Sequence, residues 1–160
     1  MFRSMFRPGS VLLALVAGLS LVSPAAAQTV PYREKAVGTI EALSFPDAGT
    51  AKQDWSGVGH ATHMGHYTQT GSHDIDLATG AVNGTFTSTA ADGSTISGTY
   101  EGTVTEIQPG VFLFEVTAQW LTGTGRLEGV TGQADVVAVV LGIGPGSTFN
   151  YTDDGFWNLP

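Results

Sequence analysis

An all-β domain, an eight-stranded antiparallel β-barrel preceded by a leader, is the fold this sequence predicts. Three observations point there. From about residue 36 the chain is rich in Gly, Thr and Val and has almost no long helix-forming stretch, and glycine and β-branched residues sit poorly in helix interiors. Large residues alternate with small or polar ones at period two, the spacing of a strand. Turn signals punctuate the alternation: "ATGA" at 78–81, "ADGS" at 91–94, "QPGV" at 108–111 and "GPGS" at 144–147.

The elements follow in order. Residues 1–27 carry Arg3 and Arg7, an apolar run from Val11 to Val22, then Pro24 and Ala25–Ala27. That is the layout of a cleaved secretory signal. The apolar run is about a dozen residues, against about 20 for a membrane-spanning helix. The mature chain, 28–160, is then one domain, secreted or periplasmic. Strands are expected near 36–44, 57–69, 72–77, 82–90, 95–106, 111–121, 133–142 and 147–152. Short connections make neighbours antiparallel. With no helix to cover a face, the strands must form a sandwich or a barrel, and the barrel is preferred because closure removes exposed edges.

The faces can be assigned. In 95–104, Ile96, Gly98, Tyr100, Gly102 and Val104 share one side, the expected core, while Thr95, Ser97, Thr99, Glu101 and Thr103 share the wet side. In 111–121 the core side is Phe112, Phe114, Val116, Ala118 and Trp120. The strand around Val136–Leu141 is apolar on both sides, which suggests either a locally covered strand or a homo-oligomer. Gly98 and Gly102 flank Tyr100; such glycines relieve crowding, mark a bend, or leave room for a ligand.

Charge excludes some partners. Without Arg3 and Arg7, four basic residues remain (Arg33, Lys35, Lys52 and Arg126) against fourteen acids, a mature net charge of −10. Nucleic acid is not an expected partner, because phosphate binding needs a basic surface. Stable membrane insertion is not expected either. Aromatic girdles are lacking and the chain closes on "FWNLP", which argues against an outer-membrane barrel. There is no cysteine, so an exported fold must hold by packing alone.

One segment is more specific. "LTGTGRLEGVTGQADVVA", residues 121–138, resembles the late motif of dirigent and allene oxide cyclase-like barrels, through Gly123, Thr124, Gly125, Arg126, Leu127, Gly129, Val130, Gly132 and Ala134. "ADGSTISGTYEG" at 91–102 and "QPGVFLFEV" at 108–116 fit the hairpin before it. The resemblance covers roughly residues 57–141. It implies a barrel with a central cavity, often self-associating, whose plant relatives steer cyclisation or radical coupling of bound substrate. The cyclase's catalytic acid matches no position here. Arg126 is expected to pair with a carboxylate at a barrel end; an anionic ligand is the other reading.

All four histidines lie between residues 60 and 73, three of them in "HATHMGH". On one continuous strand His60 and His66 would stand six steps, roughly 20 Å, apart. They could not grip one ion, so no metal site is expected; a hairpin near Gly71 that returned His73 beside His66 or Tyr67 would leave at most a weak two-ligand surface site. His63 would face the other way, with Ala61 and Gly65 leaving space beside it. If that face is inward, His63, Tyr67, Tyr100 and Trp120 line an apolar cavity with a few polar tips. His63, Tyr100 and Glu41 are then the candidate catalytic groups. No nucleophile–base motif, nucleotide loop or cofactor signature occurs, so no cofactor is expected. Two readings remain open: an exported barrel that binds a small apolar or aromatic molecule or has a non-catalytic role, and a cofactor-independent cyclase, isomerase or dirigent-like enzyme acting by cavity shape.

Overall fold

A computed structural model describes residues 28–160; the expected signal segment, 1–27, lies outside the described residues. Eight strands run in sequence order: β1 (Gln28–Asp47), β2 (Thr50–Ala61), β3 (Gly65–Asp76), β4 (Ala81–Ala90), β5 (Thr95–Gln108), β6 (Val111–Gly123), β7 (Thr131–Leu141) and β8 (Thr148–Leu159). Each pairs antiparallel with the next, and β8 returns to β1 from Gln28↔Leu159 to Thr39↔Thr148, closing the barrel. Closure leaves no unpaired edge along the wall.

The four turn signals read from the sequence all fall between strands. Asp76 shows the mechanism: its carboxylate accepts the amides of Ala78 and Thr79 (2.8 and 2.9 Å), the local bond that makes Asp a turn former. The expected core faces of β5 and β6 are inward; Ile96, Phe114, Ala118 and Trp120 are all buried. Outward positions carry exposed charge, among them Lys35, Asp54, Glu101 and Glu115. On β7 the outward Val137 and Leu141 are half exposed.

The 57–69 strand is corrected. A turn at Thr62–Met64 divides it, so residues 57–61 end β2 and 65–69 begin β3. Residues 72–77, read as a separate strand, continue β3, and Gly71 is mid-strand rather than in a hairpin. A further turn after Asp47, held by the Gly49 amide on the Asp47 carboxylate (2.8 Å), completes the count of eight.

The two barrel ends differ. At one end, Tyr32 stacks on Trp157 (ring centroids 4.6 Å) and Trp120 meets Tyr32 edge-on at 4.5 Å. Met64, Leu127 and Val130 are buried beside them. Each such aromatic buries roughly 150–250 Å², about 4–6 kcal/mol as an upper figure. Arg126, on a single 3-10 turn (Gly125–Leu127), fastens this end. Its guanidinium pairs with Asp92 (2.6 Å) and donates to the carbonyls of His63 (2.6 Å) and Met64 (2.7 Å). The carboxylate partner expected for Arg126 is therefore Asp92. The other end opens into a hollow of about 220 Å³ beneath the loop that joins β7 to β8.

Candidate functional site

Between the ends lies a cavity of about 90 Å³. Engineered cavities near 150 Å³ admit benzene, so this one has the scale of a single small ring. Its walls are apolar, with Phe86, Phe114, Val116, Trp120, Val136 and Phe149 among them. Close approach of aromatics to the wall shapes it. The Tyr100 ring lies over Gly84 and the Trp55 indole over Gly71, where a Cβ would stand 2.3 and 2.2 Å from ring carbons. These glycines are occupied by aromatic rings and leave no ligand space of their own. Around Tyr100, Gly98 is filled by Phe86 and the Gln119 carbonyl, and Gly102 by backbone of β6.

Two polar clusters interrupt the apolar wall. The first lies toward the fastened end. Glu34 on β1 and Asp153 on β8 are direct cross-strand partners, both turned inward and buried. The alternation explains this: Tyr32, Glu34 and Ala36 share the inward face of β1, with Arg33 and Lys35 outside. Phe149, Tyr151 and Asp153 do the same on β8. The hydroxyls of Tyr32, Tyr67 and Tyr151 donate to the Glu34 carboxylate. Tyr67 and Tyr151 also touch through their hydroxyls (3.1 Å), and Gln69 meets Tyr151 at 2.6 Å and Ser88 at 2.9 Å. Asp153 lines the cavity, and its Oδ1 has no hydrogen-bond partner.

Burial, and then the neighbouring Glu34 carboxyl, push the Asp153 acid up to about 9. Burial raises Glu34 as well, while its phenolic donors oppose the rise. Two carboxyls this close cannot both ionise cheaply. The phenols favour the anion on Glu34, so the proton sits on Asp153. Burial, reinforced by Glu34, holds Tyr32 and Tyr151 protonated.

The second cluster lies toward the open end. Gln53 donates its amide to the Ile143 carbonyl (2.7 Å), so its oxygen accepts from His73 Nε2 (2.8 Å). His73 Nδ1 is then an acceptor for the Tyr100 hydroxyl (2.7 Å), whose oxygen accepts the Trp55 indole N–H (2.9 Å). Burial pulls His73 down to about 4, and the Asp74 and Asp54 charges oppose this only weakly. His73 is neutral near pH 7, and every one of its ring nitrogens is satisfied. Burial also raises Tyr100. Gln53 borders the open hollow and His73 the central cavity, so this chain of bonds stands between the two.

The sequence-derived candidates separate. Tyr100 and Trp120 line the cavity, and Tyr67 is buried beside it in the Glu34 cluster. His63 does not reach it: it lies exposed on the turn between β2 and β3, with φ of 65° and its Nε2 3.1 Å from the Pro31 carbonyl. Glu41 is likewise on the outer wall, accepting from Ser56 and Thr39, bonds that favour its anion and lower its pKa. The sequence assigns no role to Glu34, Asp153 or Gln53, and the place beside His66 or Tyr67 that a hairpin near Gly71 would give His73 is not where it lies, since it pairs across strands with Gln53. The period-two signal that found the β5 core runs equally through "YREKA" and "NYTDD", where it puts an acid on the aromatic face.

A closed meander barrel around a small cavity, apolar with polar tips, is the class that fold and site define. Among solved structures the chain is similar to a pterocarpan synthase dirigent protein, with a TM-score of 0.50 and 10% identity over 92% of this chain and 98% of that one. The fold is thus the dirigent-like barrel, as the resemblance implied. No protein-family model and no curated protein matches the chain.

Proposed function

We propose that this protein, exported by the leader-like segment 1–27, binds a small and largely aromatic molecule in the central cavity. Asp153 holds a hydroxyl or carbonyl on that molecule. The observation that carries the reading is the buried, unpartnered oxygen of Asp153, a residue that lines the largely apolar cavity. An orphaned polar atom costs about 1–3 kcal/mol, and a ligand group that pairs with it recovers this. A second reading rests on the same atom: a carboxylic acid kept neutral near pH 7 can donate a proton to a bound substrate, so a cyclase or isomerase activity is the alternative.

Phenol and benzene distinguish the polar grip from simple filling. Isothermal titration is expected to show phenol binding about tenfold more tightly than benzene, one hydrogen bond's worth. Asp153→Leu should erase that preference while benzene binding persists. Val136→Trp, which fills the cavity, should abolish both. Equal affinities for the two probes in the unaltered protein would remove the role given to Asp153. Binding that survives Val136→Trp would place the ligand elsewhere.

A further inference from the structure

The turn at Thr62–Met64 does more than divide a strand. It brings His60 and His66, which one continuous strand would hold far apart, into direct cross-strand register on β2 and β3. Both are exposed on the outer wall, away from the cavity. Their ring centroids are 5.0 Å apart and the rings are inclined at 80°. We propose that His60 and His66 form a two-imidazole chelate for a divalent transition cation of the copper, nickel or zinc kind.

The spacing fits such an ion. A ring nitrogen lies about 1.1 Å from its centroid and a metal about 2.0–2.1 Å from the nitrogen, so the ion stands about 3.2 Å from each centroid. Two centroids 5.0 Å apart then subtend about 100° at the metal, close to a tetrahedral angle. Imidazole suits copper, nickel and zinc, whereas calcium and magnesium prefer oxygen.

The pair is also held in place. It occupies the rung next to the last of the hairpin, Ala61↔Gly65, and Arg126 clamps the turn beyond through the His63 and Met64 carbonyls. A pre-set register reduces the ordering cost of binding. Among the described residues no third His, Cys, Asp or Glu completes the set. The remaining coordination positions fall to water or to a donor from outside. Lys35 on β1 is in register with His60 and exposed. Its positive charge opposes a cation, and the acidic chain as a whole favours one.

Titration calorimetry with Cu²⁺ and with Zn²⁺ tests this, on protein purified without a histidine tag in a non-coordinating buffer. One Cu²⁺ per chain is expected, with Zn²⁺ weaker, as the affinity order of divalent metals requires. His60→Asn and His66→Asn should each weaken Cu²⁺ at least about tenfold, because one imidazole alone is not a chelate. His63→Asn, on the same hairpin, should leave affinity within about twofold, and Lys35→Ala should tighten it by a similar factor. Thermal melts without metal establish that each variant is folded. The chelate is overturned if Cu²⁺ does not bind, or if its affinity is indifferent to both His60→Asn and His66→Asn. It is overturned equally if His63→Asn matches them, or if one ion binds per two chains.

Discussion

The two buried polar clusters differ in how completely they are satisfied. Around His73 each donor meets one acceptor, from the Trp55 indole through Tyr100, His73 and Gln53 to the Ile143 carbonyl. Around Glu34 three phenols crowd one carboxylate, and the adjacent Asp153 keeps a bare oxygen. A saturated chain rigidifies a wall and offers a ligand nothing; an unsaturated one retains a bond to give. The likeness in burial therefore conceals a difference: on the open side of the cavity every polar group is paired, and on the fastened side one oxygen of Asp153 is not.

The strongest way to break the contrast is Glu34→Ala. It strands three buried tyrosine hydroxyls at about 1–3 kcal/mol each, partly relieved by their mutual bonds. A loss of about 3–5 kcal/mol in urea-monitored stability is expected. A loss under about 1 kcal/mol would show that the phenols do not depend on Glu34.

Acidity separates the clusters next, because their shifts have opposite signs. Asp153 holds its proton in the folded state up to about 9, whereas unfolded it releases it near 3.8. Across that window the native state binds more protons, and stability falls as pH rises, by about 1.4 kcal/mol per unit at most. His73 is neutral when folded down to about 4 but takes a proton near 6.5 when unfolded. Its contribution is complete above 6.5 and is lost as pH falls from there toward 4. The two slopes offset one another between about 4 and 6.5, and only the decline remains from there to about 9. Asp153→Asn should remove that upper decline and leave stability rising between about 4 and 6.5, as denaturation midpoints across pH would record. An upper decline that persists in this variant would assign it to other groups.

The smallest expected change sharpens the comparison. Trp55→Phe deletes one donor from the chain around Tyr100 and should cost about 1 kcal/mol plus a minor packing loss. The preference for phenol over benzene should stay unchanged, because Asp153 is untouched, even as the reshaped wall alters both affinities. A tenfold drop in that preference would make the His73 side part of the recognition surface.

Much of the fold was legible because it depends on local chemistry. Asp–Gly and Pro–Gly turns and the alternation in "STISGTYEGTVT" need no distant partner. The site was legible only in part. Tyr67, Tyr100 and Trp120 follow from the pattern, but His63 was misplaced, because the pattern breaks at a turn with no Gly or Pro among its three residues. His63 takes the left-handed conformation itself, uncommon outside glycine. The contact that holds the turn comes from Arg126, 63 positions away.

By itself, then, the sequence determined the strand class, most turns and the inward faces, since period-two burial and turn propensity act within a few residues. Only the tertiary structure decided which acids meet. Glu34 and Asp153 become neighbours because the first and last strands pair to close the barrel. That closure places two carboxyls together out of water, makes one of them keep its proton, and leaves one of its oxygens without a hydrogen-bond partner.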